Sequence, residues 1–480
     1  MIEHRSLFID GKWVDPAGSD VIEVVSPHTE QPVGRVPHAS SPDVDRAVDS
    51  ARRAFDSGEW PRLSPVDRAK TVTQLADAYE SRLEDMAQLI TLEMGSPISF
   101  SRLVQAGMPL GLLRYYSDLA SEFAFEEERN GLMGKVLVVR EPVGVVAAIA
   151  PWNVPQCIVM QKLAPALIAG CTVVLKPSPE TPLDAYLLAE LAKEVGLPPG
   201  VLNIVPADRA VSEYLVGHPL VDKVSFTGST TAGRRIAALC GENLKRCALE
   251  LGGKSAAIVL DDADLTNLVT GLRFASLMNT GQACVAQTRI LASKNRYAEV
   301  CDAIVGLAES LSVGDPSDPA TDVGPLVSSR QRERVEGYIA RGQRDGAVLA
   351  TGGGRPGSMK SGWYVEPTVF THVDNDMSIA RAEIFGPVLA VIPFTDEADA
   401  VRIANDSSYG LAGSVWTRDV DHGIDIARRI RTGTYGVNQY SAEFCAPFGG
   451  YKSSGIGREM GPEGLSAYLE YKSIAPLEIG

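Results

Sequence analysis

Cys284 is the residue of this chain whose setting best suits nucleophilic chemistry. It closes the stretch 279–284, which reads Asn-Thr-Gly-Gln-Ala-Cys and follows a mostly apolar helical run. Gly281 permits a backbone turn that a residue with a Cβ would resist. With Ala283 and Val285 on either side, the thiol is either an inert buried group, the commoner state of a free cysteine, or a nucleophile held at a turn.

The composition of the chain excludes several classes of function. A net charge of −15 over 480 residues opposes nucleic acid as a partner, because a phosphate backbone binds to basic surfaces. Seven scattered cysteines without a CxxC pair exclude a disulfide framework and a clustered zinc site, so no metal is expected. The six histidines lie far from Cys284 in the sequence, which weakens the hypothesis of a papain-like hydrolase.

The hydrophobicity and length of the chain indicate where in the cell the protein is expected and how many domains it should have. No apolar run reaches membrane-spanning length, and none of the signal-peptide type precedes Asp10. We therefore expect a cytoplasmic protein without a membrane partner. A chain of this length should fold into two or more domains.

From residue 141 onward, short apolar strands alternate with helices. Strands are predicted at 143–150, 172–175, 201–205 and 223–226. Strands that are apolar on both faces and recur every ~30 residues indicate βαβ units and a parallel sheet. Function in such sheets gathers at the carboxyl ends of the strands, where Asn153, Lys176 and Gly228 fall. The glycine-rich turn 227–233 would offer free N–H groups to an anion, although it lacks the lysine of a P-loop and the GxGxxG spacing.

A second alternating region follows residue 253. Its predicted strands are 256–260, 290–292, 388–393, 411–416 and 435–438, and its helices lie near 265–279, 297–311, 329–345, 397–405 and 422–430. We interpret this region as a second α/β domain that carries Cys284. Elsewhere the patterns predict a hairpin at 7–14, a single helix over 64–95, and exposed strand material at 134–146 and 468–474.

Seven short motifs, each at a predicted element junction, occur in the order found in NAD(P)-dependent aldehyde dehydrogenases. They are Pro151-Trp152-Asn153, Lys176-Pro177-Ser178, Phe226-Thr227-Gly228-Ser229-Thr230, Leu249-Glu250-Leu251-Gly252-Gly253, Asn279-x-Gly281-Gln282-x-Cys284, Glu383-Ile384-Phe385-Gly386-Pro387 and Pro447-Phe448-Gly449-Gly450-Tyr451-Lys452. The chain resembles this superfamily over nearly its full length.

The resemblance implies an α/β fold of the aldehyde dehydrogenase type, with two parallel-sheet domains and a small β-rich oligomerisation piece. It places the cofactor-binding domain at residues 1–119 and 143–249, and the catalytic domain at 250–452. Residues 120–142 and 453–480 would form the oligomerisation and closing segment. An uncovered strand edge is normally paired or protected, and the resemblance implies that such pieces join subunits into a homo-oligomer, either a dimer or a tetramer.

Oxidation of an aldehyde gives chemical roles to three residues of these motifs. Attack of the Cys284 thiol on the aldehyde would create a thiohemiacetal oxyanion, with the Asn153 amide and the Cys284 main-chain N–H as its donors. Transfer of a hydride to a nicotinamide then leaves a thioester, and its hydrolysis needs an activated water. Glu250 lies between two leucines, and a carboxylate in an apolar site has the raised pKa that suits a general base.

The resemblance also implies how the cofactor is held. Lys176 would hydrogen-bond the adenosine ribose, and Glu383 would hold the nicotinamide ribose. Phe385 would lie against the nicotinamide ring, while Ser229 and Trp152 would flank the pyrophosphate. The expected cofactor-binding set is completed by Ser178, Gly228, Gly233 and Leu251.

NAD is the expected cofactor, with NADP also used. NAD-preferring members of the superfamily often carry a glutamate three residues after the lysine. Here Pro179 stands at that position and Glu180 follows it. Near the same pocket, the acid and the base of the stretch Ala-Asp-Arg at 207–209 nearly cancel.

The expected substrate is an apolar aldehyde, aromatic or of medium aliphatic length, that is oxidised to a carboxylic acid. The candidate pocket residues are Val154, Ile158, Met278, Val285, Phe444 and Phe448. Two alternatives stay open. One is an enzyme that passes the thioester to CoA instead of water, against which Glu250 argues. The other is a catalytically silent homologue with a binding or structural role.

Overall fold

The computed structural model describes residues 1–132 and 134–475. Its strands, numbered along the chain, are β1 (Ile2–Glu3), β2 (Leu7–Ile9), β3 (Lys12–Val14), β4 (Val21–Val25), β5 (Pro32–Pro37), β6 (Glu126–Gly131), β7 (Gly134–Pro142), β8 (Val145–Ile149), β9 (Thr172–Lys176), β10 (Leu202–Ile204), β11 (Lys223–Thr227), β12 (Arg246–Glu250), β13 (Ala256–Val259), β14 (Arg289–Ser293), β15 (Val348–Thr351), β16 (Thr368–Thr371), β17 (Val388–Phe394), β18 (Gly413–Trp416), β19 (Gly436–Val437), β20 (Gly455–Ile456) and β21 (Leu469–Ile474).

The helices connect these strands. They are α1 (Ser41–Asp56), α2 (Pro65–Ser81), α3 (Leu83–Met94), α4 (Ile98–Phe100), α5 (Gly107–Glu122), α6 (Pro155–Ala169), α7 (Leu183–Glu194), α8 (Arg209–Gly217), α9 (Thr230–Glu242), α10 (Leu265–Leu277), α11 (Tyr297–Glu309), α12 (Ser329–Arg344), α13 (Ser378–Arg381), α14 (Glu397–Asn405), α15 (Val420–Arg429) and α16 (Gly461–Ser466). Short 3₁₀ turns cover Trp60–Arg62 and Lys452–Ser454, a π-helical turn covers Ser101–Ala106, and Met278–Gly281 form a turn with left-handed backbone angles at its centre. No helix in the described ranges has the length and hydrophobicity to cross a membrane.

The first large sheet has eight strands in the order β20-β12-β11-β8-β9-β10-β2-β3. Its five central strands run parallel, and all the residues of β8, β9 and β11 are buried. This arrangement confirms the βαβ pattern predicted from residue 141 onward. The hairpin β2–β3 adds antiparallel to β10, and β20 closes the opposite edge by pairing with β12.

The second large sheet has seven strands in the order β15-β16-β17-β14-β13-β18-β19. The five predicted strands of this region are present, and Cys284 lies in the loop between α10 and β14. The sequence patterns missed β15 and β16. β15 is a four-residue edge strand with alternating exposure, which pairs antiparallel with β16 across a register shift, so neither strand leaves a strong local signal.

Two small sheets complete the fold. One is a three-stranded antiparallel sheet of β21, β7 and β6 outside both large sheets. Its strands β7 and β21 lie where strands were predicted, at 134–146 and 468–474. β1, β5 and β4 form the other, which the sequence patterns did not predict. The role of the first of these sheets in assembly, and the domain limits given above, stay predictions.

The predicted helix 64–95 is wrong in one respect, because it consists of two helices. Arg82 has φ −116° and ψ 17°, which ends α2 and starts α3 in a new direction. Gly95 then ends α3 with a left-handed φ of 81°, as its place before Pro97 predicted.

Candidate active site

The loop before Cys284 is a strained left-handed turn. Asn279, Thr280 and Gly281 have φ values of 51°, 60° and 71° in succession. Such values cost a residue with a Cβ about 1–2 kcal/mol each, and they persist at functional sites when the surroundings enforce them. A Cβ on Gly281 would also lie 2.3 Å from the carbonyl oxygen of Gly386, so glycine is required there for space as well as for φ.

Hydrogen bonds from three sides hold this turn in place. Gln282 donates its Nε2 to Asn279 O at 3.2 Å, and its Oε1 accepts from the Val327 N–H at 3.0 Å. Thr280 Oγ1 donates to Gly324 O at 3.1 Å. All three polar residues of the turn are buried, so its geometry is set by the protein and not by solvent.

Asn153 lies directly against this turn. It follows β8, just before α6, and its Nδ2 donates to Gln282 O at 3.0 Å. Its main-chain carbonyl accepts from Asn279 Nδ2 at 2.8 Å. An amide nitrogen carries two hydrogens, so Asn153 keeps one donor for a ligand beside Cys284.

Glu250 is the last residue of β12 and is buried to 3% exposure. Its Oε1 has no hydrogen-bond partner among the described residues. Burial, and secondly the charge of Glu459, raise the pKa of the Glu250 carboxyl to about 8. A carboxyl group with such a pKa exists in both protonation states near neutral pH, which is what a general acid–base catalyst needs.

A buried ion pair acts electrostatically on the Glu250 carboxyl. Lys162 of α6 contacts Glu459 Oε1 at 2.5 Å and donates to Thr227 Oγ1 at 2.8 Å. The two charges act on Glu250 in opposite directions. Glu459 raises the pKa of the Glu250 carboxyl and Lys162 lowers it, and the effect of Glu459 is the larger.

Cys284 is partly exposed and lines a cleft. Although a ligand can reach it, its sulfur lies deep enough to lose most of its hydration. This burial raises the pKa of the Cys284 thiol well above its ordinary value, and the neighbouring Glu250 carboxylate raises it further. The resting thiol is therefore protonated, and a base must remove its proton before it can attack.

The cleft has a volume of about 510 Å³ and lies at the carboxyl ends of β11 and β12. Nine residues selected from the sequence line it, namely Trp152, Asn153, Gly228, Ser229, Glu250, Leu251, Cys284, Glu383 and Phe385. The sequence patterns did not single out Arg330, Gln331 and Arg334 of α12, or Tyr409, which line it as well. These four lie in stretches without a recognisable motif, and only the tertiary structure brings α12 and Tyr409 to the cleft.

One wall of the cleft is the amino end of α9. Ser229 caps this helix by accepting from the Ala232 N–H at 3.3 Å. Gly233 allows the helix to approach Leu251, since a Cβ there would lie 2.5 Å from the leucine side chain. A helix amino end with free N–H groups favours an anion such as a pyrophosphate.

The opposite wall is the loop 383–387. Phe385 has a left-handed φ of 64°, and its ring meets Trp152 edge-on with 5.3 Å between centroids. Gln331 fixes the loop by donating its Nε2 to Phe385 O at 2.7 Å. Glu383 Oε1 accepts from the Gly253 N–H at 2.9 Å, and burial raises the pKa of the Glu383 carboxyl to about 7.

The comparisons with known proteins agree with this geometry. The sequence profile of the aldehyde dehydrogenase family matches residues 13–474. The chain belongs to the aldehyde dehydrogenase family. It is 51% identical over 474 residues to geranial dehydrogenase of Castellaniella defragrans, which covers 98% of this chain and 99% of that protein.

Two solved structures share the fold of this enzyme. An aldehyde dehydrogenase of Mycobacterium tuberculosis, complexed with NAD+, has a TM-score of 0.98 at 50% identity, over 100% of this chain and 99% of that chain. Aldehyde dehydrogenase C of Pseudomonas syringae, a mutant complexed with NAD+ and octanal, has a TM-score of 0.96 at 42% identity, over 99% and 98% of the two chains. The fold class and the enzyme class predicted from the seven motifs are confirmed, and the enzyme oxidises aldehydes.

Three predicted cofactor residues do not line the cleft of the enzyme, namely Lys176, Ser178 and Gly233. Burial lowers the pKa of Lys176, at the end of β9, to about 8. Ser178 donates its Oγ to Glu180 Oε2 at 2.5 Å, and Glu180 lies 3.5 Å from Arg330, which does line the cleft. Glu180 therefore reaches the cleft margin, although Pro179 occupies the position where a glutamate is usual.

The predicted substrate-pocket residues divide into three groups. Val154, Val285 and Phe444 are partly buried and pack against the same apolar cluster as Cys284. Ile158 and Phe448 are buried. Met278 lines a separate hollow of about 200 Å³ between α4 and α10 and is not among the residues that line the cleft.

Proposed function

We propose that the enzyme oxidises an apolar aldehyde to a carboxylic acid through a thiohemiacetal and a thioester on Cys284, with NAD as the hydride acceptor. One observation carries this proposal. Cys284, Glu250 and Asn153 come from three separate elements, and all three line the cleft whose outer walls are the amino end of α9 and the loop 383–387.

The first half of the reaction needs a base, an oxyanion site and a hydride acceptor. Because the pKa of the Cys284 thiol is raised, Glu250 is the neighbouring group placed to take its proton. The sulfur then bonds to the carbonyl carbon, and the oxygen, now negatively charged, accepts from Asn153 Nδ2 and the Cys284 main-chain N–H. The C–H bond breaks, the hydride leaves to the acceptor, and a thioester remains.

The second half of the reaction hydrolyses the thioester. Glu250 first releases to solvent the proton that it took from Cys284. In its ionised form it then removes a proton from a water, the oxygen of that water bonds to the acyl carbon, and the C–S bond breaks. The sulfur regains a proton, and the carboxylic acid leaves. The unpaired Oε1 of Glu250 is the atom available for this water.

The residues present fit a nicotinamide dinucleotide. The amino end of α9, with Gly228 and Ser229, offers N–H groups to a pyrophosphate, and Glu383 offers a carboxylate to ribose hydroxyls. Bound NAD supplies the hydride acceptor. Glu180 at the cleft margin would repel a 2′-phosphate, whereas Arg330 beside it would attract one, so we expect NAD to be preferred with weak discrimination against NADP.

An apolar substrate is supported by the surroundings of Cys284. Val154, Val285 and Phe444 share its apolar cluster and carry no charge. One similar protein is named geranial dehydrogenase and another is complexed with octanal, and both aldehydes belong to the same apolar class. A panel of geranial, octanal, an aromatic aldehyde and a carboxylate-bearing semialdehyde, followed by NADH absorbance, tests the proposal. A kcat/KM highest for the charged semialdehyde would refute the apolar class, and no NADH from any member would favour a silent homologue.

A CoA-acylating enzyme is the alternative within the family. Glu250→Gln separates the two, because a hydrolytic enzyme without its base should release one NADH per active site, more slowly than the wild type since Cys284 loses its neighbouring base, and then stall at the thioester. Rapid-quench kinetics in the presence and absence of CoA give the measurement. Wild-type turnover that requires CoA, or a Glu250→Gln variant whose turnover CoA restores, would support the acylating alternative. If the variant shows no NADH burst with cofactor bound, no other group replaces Glu250 in the deprotonation of Cys284.

A further inference from the structure

The helical segment before α5 contains one widened turn. Residues Ser101–Ala106 form a π-helical turn between α4 and α5. Pro109 accounts for its position, because proline has no N–H and its ring clashes with the carbonyl four residues earlier, that of Gln105, in a regular α-helix. The extra residue rotates the side chains of the turn by about 100° relative to an unbroken α-helix. Such turns are uncommon and occur frequently at functional sites.

Gln105 lies in this turn, is fully buried, and reaches the main chain of Asn153. Its Nε2 donates to Asn153 O at 2.9 Å and makes a longer contact of 3.5 Å with Ser96 Oγ. Asn279 Nδ2 donates to the same carbonyl at 2.8 Å. Two side-chain amides therefore donate to the main-chain carbonyl of Asn153, while its own side chain donates to Gln282 O beside Cys284.

The stability of the fold does not account for an amide at position 105. Gln105 Oε1 has no hydrogen-bond partner among the described residues, and burying an unpaired carbonyl oxygen is unfavourable. A methionine or leucine of similar size would fill the same space without this cost. The amide is explained by its donor, which the carbonyl of Asn153 accepts.

We propose that Gln105 is a positioning residue for the oxyanion site. Its hydrogen bond fixes the turn 151–153, so that Asn153 Nδ2 keeps the direction in which it donates to the thiohemiacetal oxygen. The inference rests on the proposed roles of Asn153 and Cys284. Because an oxyanion donor acts only within a few tenths of an ångström of its productive position, release of its main chain slows the first, NADH-producing step. Cofactor binding is unaffected.

Two variants of Gln105 test the inference. Gln105→Met keeps the volume and removes the donor, and it should slow the first turnover about tenfold at every pH, with an unchanged NAD dissociation constant. Gln105→Glu keeps a donor only while its carboxyl is protonated, and burial favours that form. The first-turnover rate of the glutamate variant should therefore approach the wild-type rate at pH 6 and fall at least tenfold below it at pH 9.

The control is Gln156→Met. Gln156 is equally buried, lies on α6, and donates its Nε2 to Asp184 Oδ2 at 3.1 Å, away from the nucleophile turn. Stopped-flow appearance of NADH in the first turnover is compared with the wild type at each pH, with folding checked by circular dichroism. If the glutamate variant does not fold at pH 9, the methionine variant decides the matter alone.

A first-turnover rate for Gln105→Met within twofold of the wild type would overturn the inference. An equal loss in Gln156→Met, or a loss in Gln105→Glu that does not change with pH, would also overturn it, because either would indicate general packing damage. Failure of the proposed function is recognised separately, since the wild type itself would then give no NADH burst.

Discussion

Replacement of Glu459 by glutamine should move the pH dependence of thioester hydrolysis toward lower pH. In the wild type, burial and Glu459 raise the pKa of the Glu250 carboxyl from 4.5 to about 8. This corresponds to about 5 kcal/mol of destabilisation of the ionised form relative to the protonated one. Because the ionised form is the general base, hydrolysis should gain rate as the pH rises through about 8.

The size of the effect follows from the titration of one group. With a pKa of about 8, about a tenth of Glu250 is ionised at pH 7 and about nine tenths at pH 9. The hydrolysis rate of the wild type should therefore rise about tenfold between these values. Glu459→Gln removes a like charge, and Lys162 is left to favour the ionised base. We expect the midpoint to fall by about 1, so that the variant hydrolyses its thioester about fivefold faster than the wild type at pH 7.

Lys162 supplies the control for this prediction. Glu459→Gln leaves Lys162 buried without its partner, which costs stability. The double variant Lys162→Met with Glu459→Gln removes both charges. Since Glu459 raises the pKa of the Glu250 carboxyl more than Lys162 lowers it, the double variant should also move the midpoint downward, but by less.

The assay follows the acyl-enzyme directly. After one turnover with excess NAD, samples are quenched with acid between pH 6 and pH 10, and intact-protein mass spectrometry gives the fraction acylated. A wild-type midpoint near 5 would contradict the raised pKa of Glu250. A midpoint that stays in place or rises in Glu459→Gln would show that Glu459 does not act on Glu250 as the structure indicates.

Three further predictions concern the nucleophile, the cofactor and the assembly. Cys284→Ala should lose at least about 10²-fold in kcat while NAD binding is retained, and a smaller loss in steady-state assays would exclude Cys284 as the nucleophile. The kcat/KM of the wild type should be higher with NAD than with NADP, and Glu180→Gln should shift the ratio of these two values toward NADP by about threefold to tenfold. A wild-type preference for NADP of ~10-fold, about 1.4 kcal/mol, would contradict the role given to Glu180. The β6–β7–β21 sheet should join subunits, so light scattering at micromolar concentration should give a dimer or tetramer, and a monomer would refute this.

Much of the enzyme could be predicted from short stretches of sequence. Apolar strands that alternate with helices specify parallel sheets, because a strand buried on both faces has no polar positions in its local pattern. The glycine at position 281 and the glycine-rich turn after β11 mark sites where the backbone must turn or come close to a neighbour. The resemblance to aldehyde dehydrogenases, which short motifs carry, selected nine residues that meet in one cleft.

The weaker elements could not be predicted, because their signals are not local. β15 has an alternating exposure and β16 is four buried residues between loops, and each is a strand only because its neighbour pairs with it. The break at Arg82 depends on how α2 and α3 pack against the rest of the molecule. Met278 continues the apolar pattern of α10, but the turn that follows directs it to a different hollow from the one containing Cys284.

The chemical state of the site was decided only by tertiary structure. Lys162 and Glu459 are 297 positions apart, and nothing in the neighbourhood of either residue indicates that they form a buried pair behind Glu250. Gln105 likewise meets Asn153 across 48 positions and only through a π-helical turn. The sequence by itself determined which residue types were available for the reaction. It also indicated most of the turns, strands and helices that carry them, because these elements leave local patterns. The pKa values of Cys284 and Glu250, and the direction of the Asn153 amide, depend on burial and on charges brought close in space, which no local pattern contains.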